Sequence, residues 1–418
     1  MRKIFSKIIL LLLISKISFS QNNCLKFDGT NDDVVISNSS VISFSIDNVF
    51  SIETWFKTTS TSAVLISNKS NIAPYVGYEL ALDNGKVVFE LTNNQSTSNL
   101  KVETMTTTFN DGNWHHVACI YKGVPTSTSI EIYVDGTAEI MNVLSDNLLT
   151  SITSATSVRL GSRNGTAFFS QLEMDEVRFW TRALCAEEIV ARMNCHLTGN
   201  EYKIEAYYNF NQGVASGNNS TVTTLIDGTS HNHTGTLNNF ALTGASSNWI
   251  STGAVISGAC GAFGNLSVTG STLICTGNTT SLTANGSQLS YTWMPTFQTG
   301  SVIAVNPTVT TTYTALGTTT ANCLNVGVHT LSVSNCASVG EMNGGESALQ
   351  IYPNPFNDYL RIDNFEYELR IEIADILGKI VLKETVKRGE MVNTAVLQNG
   401  IYFIKVNSEN KTHLLIKN

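Results

Sequence analysis

The chain has 418 residues, of which only 14% are charged, and a formal net charge of -8. That length exceeds what one hydrophobic core usually serves, so several domains are expected. The acidic balance and the lack of a Lys/Arg stripe exclude nucleic acid and an anionic membrane surface as partners, since both are bound through clustered positive charge.

Met1-Arg2-Lys3, an apolar run from Ile8 to Ile14 and Ser18-Phe19-Ser20 predict a secretory signal peptide over residues 1–20. The run is too short to span a bilayer, and no later segment approaches the ~20 apolar residues a membrane helix needs. The mature chain is therefore expected to carry no transmembrane segment. Eight cysteines in an exported chain favour disulfides over thiol chemistry. Cys185 and Cys195 flank a short amphipathic helix, Ala186 to Met193, and are expected to pair and staple its ends. Cys275 and Cys323, bracketing a later segment, are the second expected pair. Cys119 lies inside a predicted strand and reads as a buried free thiol, with a bridge as the alternative. Cys24, Cys260 and Cys336 stay unassigned.

From residue 21 the chain reads as strands. Leu25-Lys26-Phe27 and Val34-Val35-Ile36 are joined by a polar turn that holds Asp28, Asp32 and Asp33. Three carboxylates on a flexible loop suit calcium, which takes several hard oxygens; a plain hairpin turn uses the same residue types. Tyr78 to Leu82, Asp83-Asn84-Gly85 and Lys86 to Leu91 predict a hairpin. Trp114-His115-His116-Val117-Ala118 and Ile130 to Val134 are two more alternating strands, and Asp135-Gly136 supplies the turn that follows them.

Trp114-His115-His116-Val117-Ala118, Ile132-Tyr133-Val134-Asp135-Gly136, Leu160-Gly161 and Met174 to Trp180 together resemble laminin-G-like domains of the concanavalin A-like lectin/glucanase superfamily. The resemblance covers residues 21–196 and implies an all-β jelly roll; it fixes no activity, because that architecture hosts lectins, adhesion modules and glycanases alike. Residues 197–258 resemble the β extension that follows such domains and are expected to pack on the same sandwich. Residues 262–336 resemble an immunoglobulin-like domain through the order Cys275, Trp293, Tyr313 and Cys323, which implies a core tryptophan beside a cross-sheet bridge. Residues 337–347 form a polar linker. In 348–418, Ile351-Tyr352-Pro353-Asn354-Pro355-Phe356, Ile376-Leu377-Gly378-Lys379 and Asn399-Gly400-Ile401-Tyr402-Phe403 resemble the type A C-terminal sorting domain of type IX secretion. That resemblance implies handling by the type IX machinery and a secreted or outer-membrane-surface location.

The expected function is non-catalytic binding of glycan or extracellular protein by the jelly-roll loops. Tyr75, in a loop with Pro74, is a candidate platform for sugar C–H groups, with Arg163 and Asn164 across from it. The alternative is a polysaccharide-degrading enzyme or its binding module. Glycanases of the superfamily carry Glu-x-Asp-x-Glu on one strand; here Glu173 and Asp175 fill two positions, but the third is Val177. Strict alternation turns Glu176 to the opposite face. His231-Asn232-His233 offers two imidazoles, but no third ligand lies near them in sequence, so the run reads as a turn.

Overall fold

The computed structural model describes residues 22–37, 40–255, 258–261, 263–321, 323–334, 349–363, 365, 368–406 and 412–418. The expected signal peptide, the linker 337–347 and Cys336 lie outside these residues. The chain divides into two compact units, Met1–Cys336 and Ala337–Asn418.

Among the described residues, the first part of unit one is a sandwich of an eight-stranded and a nine-stranded sheet. The first sheet runs, in spatial order, Thr137–Ala138, Ile130–Val134, Trp114–Lys122, Val49–Lys57, Gln171–Trp180, Asn23–Asp28 and Asn248–Ser251, with Ile204–Tyr208 also paired to Gln171–Trp180. The second runs Met141–Asp146, Ser98–Thr104, Lys86–Asn94, Gly77–Asp83, Ala63–Ser67, Arg159–Leu160, Asp33–Ile36, Gly235–Asn238 and Thr224–Leu225. The strands of residues 204–251 thus complete both sheets, beside Gln171–Trp180, Asn23–Asp28 and Asp33–Ile36. The periodicity explains the layers: along Trp114–Lys122, Val117, Cys119 and Tyr121 enter the inter-sheet core, and the residues between them face outward. That core also holds Phe27, Phe56, Tyr78, Phe89, Val177 and Trp249, with Phe44 stacked on Phe50 at 3.9 Å between ring centroids. Cys24 and Cys119 are free, buried thiols.

A second apolar cluster, Ala118, Ile120, Trp180, Leu184, Ile189, Ile204 and Tyr207, covers the outer side of the eight-stranded sheet. The helix Ala186–Arg192 supplies Ile189 to it. Both expected cysteine pairs are corrected here. Cys185, the residue before this helix, is bonded to Cys323, and Cys195, after it, to Cys260. The two cysteines cannot serve as a local staple because each is held by a distant segment, which clamps the helix onto the sheet. Cys275 is disulfide-bonded, but not to Cys323.

Residues 263–334 form a smaller sandwich of a three-stranded and a five-stranded sheet, with Leu282, Trp293, Tyr313 and Leu331 in its core. Trp293 is fully buried and its indole N–H donates to the Gly300 carbonyl at 2.8 Å, which satisfies the one polar atom the ring carries. The expected bridge beside it is replaced by the Cys185–Cys323 bond.

Unit two is a β-sandwich of a three-stranded sheet, Gln350–Tyr352, Tyr359–Asp363 and Met391–Asn393, and a four-stranded sheet, Ile380–Val386, Leu369–Asp375, Gly400–Val406 and Thr412–Lys417. Leu360, Ile371, Ile373, Ile404 and Val406 fill its interior. Lys417 is buried, its ammonium donating to the carbonyls of Asn357 and Thr394, so the strand at the chain end is tied into the core.

Candidate functional site

The outer face of the nine-stranded sheet carries a groove of about 340 Å³. Its floor follows from the hairpin register. The Asn84-Gly85 turn pairs Asp83 with Lys86, and counting back places Glu79 opposite Glu90; the next strand sets Lys101 opposite Glu90. Because Tyr78, Leu80, Phe89 and Leu91 face the core, Glu79 and Glu90 face outward, yet both are about as buried as the core at 5% and 3% exposure. Like charges directly opposite on a sheet repel, and each carboxylate here has its own cation. Arg163 donates to Glu79 through Nε at 2.7 Å and through Nη2, with Ser67 Oγ adding a bond at 3.1 Å. Lys69, fully buried, holds Glu90 at 2.5 Å.

Burial alone lowers the Arg163 pKa, but the Glu79 bond and charge outweigh it and hold the guanidinium above its ordinary value. The same guanidinium lies 4.1 Å from the centre of the Phe168 ring, a cation–π contact. Phe168 remains 58% exposed and sits at φ 56°, a left-handed conformation that is a true outlier for a bulky residue. Gly161 sets the start of its loop: at φ 81°, a Cβ there would stand 2.5 Å from the Phe27 ring. The loop is thereby anchored to the core while Arg163 and Phe168 reach the groove.

Of the three residues expected to bind ligand, Arg163 lines the groove. Tyr75 lies near enough to Arg163 to act on its charge, in a left-handed conformation at φ 67°, without lining the groove. Asn164, at φ 53°, turns the loop and does not line it either. Lys69, Glu79, Glu90 and Phe168 were not singled out from the sequence. The carboxylate pair had a readable signal, the hairpin register; the cations had none, because they arrive from loops.

Glu173 and Asp175 lie on the outer side of the opposite sheet. Glu173 is held by Lys57 at 3.0 Å and Lys26 at 3.7 Å. Asp175 is sealed, accepting the N–H groups of Ala254 and Glu176, both at 2.9 Å. Burial, reinforced by the Glu176 charge, pushes its carboxyl well above the usual range. The expectation for Glu176 is corrected. The pairing with Val49–Lys57 slips between Asp175 and Arg178, and Glu176 takes φ 52°, so a bulge keeps it on the outer side. There it binds Arg178 and His196, both at 2.7 Å, and Tyr207 at 3.0 Å, beneath the clamped helix.

The three loop aspartates do not converge. Asp28 Oδ1 accepts the Thr30 N–H at 2.7 Å and Asp32 Oδ2 the Asp28 N–H at 3.0 Å. Asp33 pairs with the Arg159 guanidinium and accepts from Ser162 and Asn238, both at 3.2 Å. A guanidinium thus stands on Asp33 and backbone donors on the other two. Among the described residues the one group of three metal-type donors whose ligand atoms all lie within 4.8 Å of one another is Cys185, Glu187 and Cys323, whose sulfurs are spent in the disulfide.

Residues 28–190 match the concanavalin A-like lectin/glucanases superfamily as a laminin-G type, and residues 350–418 match the secretion system C-terminal sorting domain. The chain carries both domains. The sorting domain marks a secreted or outer-membrane-surface protein handled by type IX secretion, and among the described residues no helix is long and apolar enough to cross a membrane. No curated protein matches this chain. Among solved structures it is similar to the binding domain of Paraclostridial Mosquitocidal Protein 1, at 17% identity over 41% of this chain and 43% of that chain with a TM-score of 0.32. Mouse laminin alpha1 domains LG4-5 match at 19% identity over 39% of this chain and 42% of that one, TM-score 0.29. The CBM40 of the Ruminococcus gnavus IT-sialidase, a structure with alpha2,6 sialyllactose bound, matches at 15% identity over 41% and 94%, TM-score 0.28. The chain thus spans less than half the length of the first two.

Proposed function

We propose that this is a non-catalytic binding protein that acts outside the cell and takes glycan or extracellular protein in the groove of its laminin-G-like domain. The observation that carries the reading is the pairing of Glu79 with Arg163 and of Glu90 with Lys69 beneath an exposed Phe168. Fixed, desolvated polar groups beside an open aromatic ring supply the two contacts a sugar needs, acceptors for its hydroxyls and a flat face for its C–H groups. The middle sandwich serves as an immunoglobulin-like spacer. Binding is favoured over cleavage because Glu173 sits between two lysines and Asp175 is sealed, so neither is an open acid or nucleophile.

The test is a panel of polysaccharides and extracellular glycoproteins presented to the mature chain and to Phe168→Ala. Wild-type binding that weakens at least about tenfold, the scale of one lost aromatic contact, with an unchanged melting temperature, supports the site. Binding that ignores the substitution overturns the groove, and turnover of a bound polysaccharide overturns the non-catalytic reading.

A further inference from the structure

His231 and His233 flank Asn232, whose φ is 61°, in the turn before the strand Gly235–Asn238. The fold brings them a third ligand that the sequence did not place nearby. In the strand Ile204–Tyr208, Ala206 enters the inter-sheet core and Ile204 the outer cluster, and the pairing with Gln171–Trp180 skips Glu205 between them. Its Oε1 stands 2.9 Å from His233 Nε2 and 3.9 Å from His231 Nδ1.

The loop that carries the imidazoles is rigidly built. The Asp227 carboxylate accepts the N–H groups of Tyr207, Thr229 and His233 at 3.1, 2.9 and 2.9 Å, and the Thr229 hydroxyl at 2.8 Å. His231 Nδ1 lies 3.1 Å from the Glu205 carbonyl oxygen, and the two rings are 6.2 Å apart. His233 is buried, and its Nδ1 has no hydrogen-bond partner among the described residues. Glu205 is therefore the polar anchor of that ring. His231 Nδ1 thus sits on the Glu205 carbonyl and 3.9 Å from the carboxylate oxygen that His233 holds, which gathers two imidazoles and one carboxylate in one place.

We propose that Glu205, His231 and His233 form a site for a first-row transition-metal dication. Two neutral imidazoles and one carboxylate are the donor set that suits zinc, nickel or copper, with at least one position left open to solvent. The three are not preassembled. The metal replaces the His233–Glu205 hydrogen bond, and the His231 ring, whose side chain is 47% exposed, gives up the Glu205 carbonyl and swings in from 3.9 Å. The site is remote in sequence from the groove residues and does not depend on what the groove binds.

The experiment uses the mature full chain, purified without a histidine tag and freed of metal. Zinc chloride is titrated by calorimetry, and cobalt(II) is followed by its visible absorption, which reports the ligand set directly. The site predicts one zinc per chain, with His231→Gln weakening binding at least about tenfold, no less than the loss of an outer-shell partner, while the metal-free melting temperature stays unchanged. Glu205→Gln is the second variant and is expected to weaken binding as well. Absence of binding at millimolar zinc, or zinc bound equally by wild type and His231→Gln, overturns the proposal.

Discussion

Glu79 and Glu90 face each other across two antiparallel strands, and each is neutralised by a cation from outside the pair, Arg163 for the first and Lys69 for the second. The facing of the two carboxylates is repulsive, and each is offset by a cation that a loop brings in, with Lys101 set opposite Glu90 on the next strand. The groove floor is therefore stable only when both loops are in place.

Removing Lys69 alone leaves the Glu90 carboxylate buried without a partner. Lys69→Met is expected to cost about 3–5 kcal/mol, whereas Lys69→Met combined with Glu90→Leu replaces both charges by apolar groups and is expected to be far milder. Urea denaturation of the two variants decides; a single variant no worse than the double one contradicts the account.

His115 lies between Asp135, at 2.8 Å, and Asp111, at 3.1 Å. The Asp135 hydrogen bond, opposed in part by burial, raises its pKa above the ordinary 6.5. A raised folded pKa means that the folded state holds the proton more tightly, so this stabilisation is complete below 6.5 and disappears as pH rises through the raised value. Stability of wild type should fall across that window, and His115→Gln should flatten the fall. Melting temperatures taken from mildly acidic to mildly alkaline buffer measure it, and parallel curves for the two proteins would refute it.

The Cys185–Cys323 bond closes a loop with a sequence separation of 138 and joins the laminin-G-like sandwich to the smaller one. Chain entropy for such a loop is worth up to about 5 kcal/mol, less here because the Cys195–Cys260 bridge already shortens the loop. Replacing Cys185 and Cys323 together by serine should lower the calorimetric midpoint and split the unfolding of the two sandwiches into separate transitions. One unsplit transition at the wild-type midpoint would show that the bond adds nothing.

Asp28, Asp32 and Asp33 are engaged by backbone and arginine donors. Excess calcium and chelator are accordingly expected to give the same melting temperature. A rise with calcium that Asp32→Asn abolishes would mean the loop rearranges around the ion.

The sequence by itself determined the sandwich: alternation at period two decides which side of each strand meets the core, and it is a local property. It also contained the carboxylate pair, since a two-residue Asn84-Gly85 turn fixes a register that counts back to Glu79 and Glu90. Alternation failed at Glu176, where a bulge with a left-handed residue resets the count, and nothing in the local composition announces that reset. What only the tertiary structure decided is partnership. Arg163 comes to Glu79 across 84 positions, Cys323 to Cys185 across 138, and Glu205 to His233 across 28. Such meetings depend on how sheets and loops close in space; spacing along the chain carries no trace of them.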